Sequence, residues 1–512
     1  MGVLPKMREG LLSWQNFAVL FAVYFASLAF YRLFLHPLAR FPGPRLAAIT
    51  RWYEAYYDIV QNGQYTFKIA ELHKKYGPII RISPYELHVI DPTYFEKLYR
   101  QEGCWDKYEW TYNGFSAKGA TIVTGSHELH KARRQPINHF FSKAKVAARQ
   151  EIIHRNVAKL CNRLSQLAGN TVNLGAAISA IVRDVSCEFM LNKTSGALDK
   201  DDFNVAVTNM LQKGGVIWRI TKHFPWFGPT MKSIPRSLLF KVADESTKEF
   251  FQHIQNSEDD TRDLLRIATT SSTGEEVPRT IVHELFNSNL PAAEKKFLRV
   301  MNDVATITGA GFETTASVLR LIFYHVFSNA TILKRLRAEL AAADGVPSFS
   351  DGEVEVKVLE KLPYLTSVIM EGMRLSPAIG TRMARIAPDR DLFYGDLRIP
   401  AGTPVGMTTI LMHTDEKLYP EPMRFNPDRW MDLEAKKRLD KVYAPFSKGT
   451  RICLGMHLAW AEMYLVIATL VQRFDFKFEG IAAADFEMES DQFIIGTKAA
   501  ANLIAHVASF IA

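Results

Sequence analysis

Ten residues near the C-terminus, Phe446-Ser-Lys-Gly449-Thr-Arg451-Ile-Cys453-Leu-Gly455, constrain this chain more than any other stretch. Each fixed position has a separate task around one sulfur. Glycine at 449 permits a turn closed to residues with a Cβ and lets the backbone approach a flat cofactor. Arg451 is a permanent cation able to pair with a carboxylate such as a haem propionate. Gly455 lets a helix, expected over Met456 to Phe474, start close to the same surface. Backbone N–H groups at that helix start would face the sulfur and favour its anionic form. A thiolate so placed would bind an iron and favour O–O cleavage more than histidine or methionine does. The competing reading is a buried, inert thiol in a turn.

A second unusual stretch lies upstream. From Pro291 to about Phe327 the pattern is that of one long helix, roughly 55 Å if unbroken. Its centre reads Thr308-Gly309-Ala310-Gly311-Phe312-Glu313-Thr314-Thr315. Glycines and paired threonines are poor helix formers, so this polar turn in an apolar helix needs a reason. Small residues at 310 and 311 leave room for dioxygen and substrate, and Glu313 and Thr314 can move protons. A structural kink is the alternative. Glu371-Gly-Met-Arg374 follows, with acid and base on one helix face, and then Phe425-Asn-Pro-Asp-Arg429-Trp430.

Phe-x-x-Gly-x-Arg-x-Cys-x-Gly, preceded in this order and spacing by the other three motifs, resembles the cytochrome P450 superfamily of haem-thiolate monooxygenases. The resemblance covers nearly the whole chain after its first 36 residues. Trp52-Tyr-Glu-Ala-Tyr-Tyr57 and Lys75-Tyr-Gly-Pro-Ile-Ile-Arg-Ile-Ser-Pro84 further resemble fungal secondary-metabolism members such as trichodiene oxygenase. The resemblance implies a mainly α fold with a smaller β-rich region, and haem b with Cys453 as its axial ligand. It implies that Glu313 and Thr314 serve proton delivery. His130 and Arg134, at i and i+4 of a basic helix, would meet haem propionates together with Arg451 and with Arg385, for which Arg382 is a substitute. Glu371, Arg374 and Arg429 would form a buried structural triad. Pro377 to Arg385 resembles a strand lining the substrate site. The implied partners are dioxygen, a small apolar substrate and an NADPH-cytochrome reductase. Lys448 and the helix from Lys131 to Arg134 are expected to offer that reductase a positive face.

Composition excludes other classes. Hydrophobic residues are 47% and charged ones 23%, so no large disordered portion is indicated. The formal charge of +8 is scattered, without aromatic interleaving or a nucleic-acid motif. Four cysteines with no CxxC pairing argue against a disulfide framework and for a reducing compartment.

From Leu11 to Leu35 the chain is almost wholly apolar, long enough to span a bilayer. A cleaved signal peptide is the competing reading. Arg32, Arg40, Arg45 and Arg51 follow the run, whereas Lys6 and Arg8 before it are offset by Glu9, so the C-terminal side is expected in the cytoplasm. Residues 1–36 thus read as a single-pass anchor in the endoplasmic reticulum and 37–512 as the catalytic part, joined through the stiff Phe41-Pro-Gly-Pro44. Extended runs are expected at Pro78 to Ser83 and Leu87 to Ile90, and an aromatic, glycine-containing loop over an apolar pocket is expected between Trp105 and Gly125. Residues 150 to 290 read as helices with polar breaks, carrying an apolar tip, Phe224-Pro-Trp-Phe-Gly-Pro229, that meets either the membrane or the core. The function expected is hydroxylation or epoxidation of a terpenoid or polyketide intermediate. The alternatives are a haem-thiolate isomerase or dehydratase, and a non-catalytic membrane haem protein.

Overall fold

The computed structural model describes residues 14–270, 279–346, 353–500 and 502–508. The helices used below are α1 (Trp14–Phe30), α2 (His127–Asn138), α3 (Glu151–Gln166), α4 (Leu174–Leu191), α5 (Val205–His223), α6 (Glu245–Thr270), α7 (Phe297–Phe327), α8 (Ala330–Ala342), α9 (Pro363–Leu375) and α10 (Met456–Arg473). Three of them show how sequence makes the core. In α3 the apolar residues Ile152, Ile153, Val157, Leu160 and Leu164 share one buried face, the stripe expected of a helix lying on a core. In α4 nearly every side chain is buried; Asn173 caps its start by accepting from the Ala176 N–H at 3.0 Å, and Asn192 ends it in the left-handed region. Helix α4 packs along α7, and α7 also meets α6, α9 and α10. One continuous apolar cluster fills the space between them.

The long helix starts later than its sequence pattern suggests. Pro291 opens a 3-10 turn, Ala292–Lys295, and the α-helix runs from Phe297, about 46 Å at 1.5 Å per residue. It is helical throughout the glycine- and threonine-rich turn. Thr306, Thr308 and Thr314 each turn their hydroxyl back onto the carbonyl four residues earlier, which satisfies them without breaking the ladder.

Among the described residues the strands form four small sheets, one of which packs on the helical core through Val172, Phe476, Ala505 and Val507. Strands β1 (Ile79–Arg81), β2 (Leu87–Val89), β3 (Asp106–Lys107), β5 (Arg385–Ile386) and β8 (Val405–Gly406) form a sheet in the order β1-β2-β8-β5-β3. Only β2 and β8 run parallel, with Leu87 opposite Val405. Strands β4 (Thr171–Asn173), β9 (Asp475–Phe478) and β12 (Ile504–Ala508) form a second sheet with β12 central. Strands β6 (Leu392–Tyr394) and β7 (Leu397–Ile399) pair as one hairpin, and β10 (Met488–Gln492) and β11 (Ile494–Thr497) as another. The two extended runs expected at 78 to 90 are thus β1 and β2. Of the strand expected from Pro377 to Arg385, only Arg385 with Ile386 is strand; positive φ at Ala378 breaks the run, and Ile379 makes an isolated bridge to Ile494.

Helix α1 continues through a π-helical turn, Tyr31–Leu35. Together Trp14–Leu35 is 22 residues with mean hydropathy 1.9 and no side chain buried. The start of the apolar run at Leu11, with Lys6, Arg8 and Glu9, lies outside the described residues. Arg32 fastens the far end: its guanidinium donates to Ile49 O at 2.5 Å and Tyr85 Oη at 2.6 Å, while its carbonyl accepts from Arg81. Next, Leu38 and Phe41 enter the core beneath the five-stranded sheet. The Phe224 to Pro229 tip is open to solvent at Trp226 (63% exposed), and Phe224 rests on Trp52, itself 60% exposed.

Candidate active site

The loop before α10 is held by its own backbone. Cys453 N donates to Phe446 O at 3.0 Å and Ile452 N to Gly449 O at 3.1 Å, closing a 3-10 turn, Gly449–Arg451. Gly449 has φ +76°, and a Cβ there would come within 2.6 Å of Arg100 O. Glycine is therefore demanded by conformation and by space, as expected. Gly455 differs: a Cβ there would meet no protein atom within 4 Å, so that face of the backbone is open. Cys453 is exposed at the floor of a recess with protein all around it. Burial raises its pKa, opposed by the Gly455 N–H and by Arg134. The helix start does face the sulfur.

Five basic side chains gather beside this loop from four segments: Lys107, His130, Arg134, Arg385 and Arg451. Their mutual repulsion marks them as neighbours. Burial, then Arg451, Lys107 and Arg134, pushes His130 down to about 2. Burial and Arg385 hold Arg451 at about 10, and Lys107 falls well below the usual lysine value through burial, Arg385, Arg451 and Arg134. Their hydrogen bonds go to uncharged oxygens: Arg451 to Thr124 O (2.8 Å) and Gly125 O (2.5 Å), Arg134 to Ile452 O (2.5 Å) and Asn138 Oδ1 (2.8 Å), Arg385 to Met383 O (3.1 Å), Lys107 to Ile122 O (2.9 Å). Among the described residues none of the five pairs with a carboxylate, and Arg451 Nε has no partner. Buried cations without counter-ions are costly. The cluster is built for an anionic group.

Arg382 is placed elsewhere. Its Nε meets Glu86 Oε1 at 2.7 Å, and Nη2 reaches Glu86 Oε2 at 2.8 Å and both Glu54 oxygens at 3.0 Å. Against the lowering effect of burial, Glu54 and Glu86 hold its pKa well above normal. Arg382 is thus neutralised within the protein, and Arg385 is the one that joins the cluster.

On α7, Ala310 is exposed within a helix that is otherwise largely buried. Thr314 lies one turn further on, its hydroxyl on Ala310 O at 2.8 Å. Buried Glu313 forms an ion pair with Arg320, which also donates to Ser179 Oγ at 2.7 Å. A cleft reaches this pair, lined also by Ser317, Ser376, Ile494 and Thr497. The cations expected on a docking face are mostly engaged. Arg133 holds Glu294 through two bonds, Arg134 turns inward, and Lys448 Nζ donates to the Asp440 (2.6 Å) and Lys441 (2.9 Å) carbonyls. Lys131 alone of these four is exposed.

The acidic and basic residues of α9 meet as their spacing suggests. Arg374 grips Glu371 through Nε (2.9 Å) and Nη2 (2.8 Å), and Arg429 Nε reaches Glu371 Oε1 at 3.1 Å. Trp430 Nε1 (3.0 Å) and Asn426 N (2.9 Å) complete the carboxylate's partners. Glu371 and Arg374 are fully enclosed and Trp430 is buried, while Asn426 and Arg429 are partly buried. The arrangement ties α9 to the segment from Asn426 to Trp430.

A family model described as Cytochrome P450 matches residues 52–501. The chain belongs to the cytochrome P450 family. It is 38% identical to a cytochrome P450 monooxygenase of Ascocoryne sarcoides over 92% of this chain and 94% of that one. It is 35% identical to an N-acetyltryptophan 6-hydroxylase of Emericella nidulans, over 94% of each, and 36% identical to a tryptophan 6-hydroxylase of Fusarium equiseti, over 91% of each. P450 proteins are oxidoreductases that bind haem through a cysteine thiolate and use dioxygen and a redox partner. The residues present fit that group: an open thiol faced by a helix start, a glycine whose Cβ direction is free, and unneutralised cations beside both.

Sequence reasoning missed part of this P450 site. Lys107 sits on β3, and its charge lies over the Tyr112 ring at 4.1 Å. Phe493, at the tip between β10 and β11 with φ +70°, meets Tyr112 (6.0 Å), Phe115 (4.7 Å) and Trp218 (5.4 Å). The aromatic loop expected over a pocket is there, folded as short helical turns. Its partners Trp218 and Phe493 carry no local signal.

Proposed function

We propose that this P450 is a membrane-anchored monooxygenase of fungal secondary metabolism that takes electrons from an NADPH-cytochrome reductase and inserts one oxygen atom into an apolar substrate. The observation that carries the reading is the buried cluster of Lys107, His130, Arg134, Arg385 and Arg451, a counter-ion for the two propionates of haem. Haem supplies the one-electron and dioxygen chemistry when bound. Cys453 would hold its iron through the thiolate, with the Gly455 N–H tempering that thiolate. Arg134, Arg385 and Arg451 hold the carboxylates with His130 and Lys107 beside them. Glu371, Arg374 and Arg429 keep the cysteine loop in place. Thr314 and Glu313 pass protons from the cleft lined by Ser317, Ser376 and Thr497 toward the reacting oxygen. Residues 1–36 anchor the chain in the endoplasmic reticulum, with 37–512 in the cytosol. The reaction is hydroxylation or epoxidation of a terpenoid or polyketide intermediate. A second reading, a flat aromatic substrate such as an indole, is favoured by the rings of Tyr112, Phe115, Trp218 and Phe493 and by the two relatives named as hydroxylases of tryptophan and its N-acetyl form.

Reconstitution with reductase, NADPH and a panel of terpenes, polyketides, tryptophan and N-acetyltryptophan tests this. A product heavier by one oxygen, dependent on both NADPH and reductase, is expected. Turnover without NADPH would instead favour an isomerase or dehydratase, and binding without turnover a haem carrier. Cys453→Ala should lose the thiolate-type Soret band of the reduced carbon monoxide adduct; its retention would remove Cys453 as ligand.

A further inference from the structure

Six ionisable side chains lock together away from the cysteine loop and have no part in the chemistry above. Glu54 and Asp58 stand four positions apart in a short helix, Trp52–Ala55, that runs on as a π-helical turn, Tyr56–Val60. That spacing puts both carboxylates on one face, and the face meets the last turn of α5. Lys222 Nζ lies 3.0 Å from Glu54 Oε1 and 2.7 Å from Asp58 Oδ2, and His223 Nε2 lies 2.8 Å from the same Asp58 oxygen. Arg382 holds Glu54 as well and continues to Glu86. Of Glu54, Asp58, Glu86, Lys222 and Arg382, none is more than 4% exposed. Glu54, Asp58 and His223 are close enough together to hold a metal ion, but the Lys222 ammonium already stands between the two carboxylates. Burial opposes its charge; Asp58 and Glu54 more than offset that, and its pKa lies above the usual lysine value.

Lys222 touches rings as well as acids. Trp218 stands four positions earlier on α5, so the two side chains share a helix face. The ammonium lies 4.5 Å from the centre of the Trp218 ring and 5.0 Å from that of Trp110. A cation taken out of water is drawn to an indole face and holds it at a set distance. Trp218 Nε1 donates to Thr111 O at 2.9 Å, and Phe493 and Phe115 stand 5.4 and 6.5 Å from its ring. The next residue, Arg219, donates to Asp491 O at 2.9 Å and to Asn62 Oδ1 at 2.6 Å, and Asp491 Oδ1 accepts from Phe493 N at 2.9 Å. Trp218 and Phe493 are thus both tied, through charged side chains, to residues 54 to 62. A helix end packed only by apolar contact has no preferred direction, whereas an ammonium between two fixed carboxylates does.

We propose that Lys222 is a positioning residue for substrate selection: held between Glu54 and Asp58, it places the Trp218 ring among Tyr112, Phe115 and Phe493, where a flat aromatic substrate lies against it. This rests on the second reading above, in which those four rings receive the substrate. Without Lys222, Glu54 keeps Arg382 and Asp58 keeps His223, so its loss frees the ring and leaves neither acid unpaired.

Full-length, haem-loaded protein is compared as wild type, Lys222→Met, Lys222→Arg, Trp218→Ala and the Trp218→Ala/Lys222→Met double variant. Spectral titration with imidazole reads access to the iron, and titration with 1-phenylimidazole reads the surroundings of an aromatic ring beside it. Amide hydrogen exchange near the end of α5 reads the hold on the helix. The imidazole dissociation constant should stay the same throughout. That of 1-phenylimidazole should rise about threefold to tenfold in Lys222→Met, the weight of one buried contact between cation and ring, and stay near wild type in Lys222→Arg. Trp218→Ala should shift it too, and adding Lys222→Met to Trp218→Ala should change nothing further. Exchange should quicken in Lys222→Met. Equal changes for the two ligands, 1-phenylimidazole binding altered by Trp218→Ala but not by Lys222→Met, or the same rise with and without Trp218 would overturn the proposal. If Lys222→Met does not load haem, Asp58→Asn, which weakens the hold on the ammonium and keeps the shape, carries the same comparisons. Unchanged 1-phenylimidazole binding in Trp218→Ala with quickened exchange in Lys222→Met would remove the four rings as the substrate's surface and leave the hold on α5 standing.

Discussion

A hydroxyl and two arginines carry the sharpest expectations at the scale of single residues. Thr314→Ala removes the hydroxyl nearest the exposed Ala310 without touching the Cys453 loop. The carbon monoxide spectrum should stay normal while product per NADPH falls and peroxide rises; unchanged coupling would take Thr314 out of the proton path. Arg385 and Arg382 are close in sequence and opposite in circumstance. Arg385→Leu should weaken haem retention with little loss of fold, because it relieves repulsion with Arg451 and Lys107. Arg382→Leu strips the counter-ion from buried Glu54 and Glu86 and should destabilise the protein by about 3–5 kcal/mol. Urea midpoints and haem loss to apomyoglobin separate the two; equal effects on both measurements would refute the assignment. Cys453, Gly449 and Arg451 were legible in the sequence because their geometry is local, a turn of a few residues. The choice between Arg382 and Arg385 was not. It depends on Glu54 and Glu86, which lie some three hundred positions away.

At the scale of elements, the buried assembly around α9 brings a pH dependence. His413 is fully buried; its Nδ1 faces Arg374 O at 3.2 Å, and its Nε2 accepts from Ala444 N at 3.1 Å. Burial and Arg374 lower its pKa from 6.5 to about 3. Between those values the unfolded chain binds the proton and the folded chain does not. Stability should therefore fall as pH falls through that window, by up to ~1.4 kcal/mol per unit from this group. His413→Asn should reduce the slope of urea midpoint against pH from 6.5 to 4 relative to wild type. An equal slope would show that His413 does not titrate with unfolding. The sequence made Glu371, Arg374 and Arg429 visible through motif spacing. Trp430 closes the motif that carries Arg429, whereas His413 completed the assembly only when the chain folded, since it stands in no pattern that forces contact. The start of α7 misled for a related reason: Pro291 fits a helix N-terminus, but the chain spends Ala292–Lys295 in a tighter turn before Phe297.

For the whole molecule, the apolar helix and the catalytic part are joined more firmly than a linker would join them. Arg32 binds Ile49, Tyr85 and Arg81 across the junction. Deleting residues 1–28 spares those bonds. The shortened protein should leave the membrane fraction at high salt while keeping its carbon monoxide spectrum; continued sedimentation with vesicles would mean that other surfaces, such as Trp52 and Trp226, suffice to hold it. The division into a helical mass and smaller strand-rich parts was implied by the resemblance that the motifs carry, but the strand order was not legible, because β2 finds β8 and β4 finds β12 across most of the chain. That last pairing bears on manufacture. Residues 504–508 insert between β4 and β9, with Ala505 and Val507 fully enclosed, and they are made after every catalytic motif. Until they are made, β4 waits with a bare edge open to other chains. A chain terminated just before residue 504 would therefore carry every catalytic motif and a persistent tendency to aggregate.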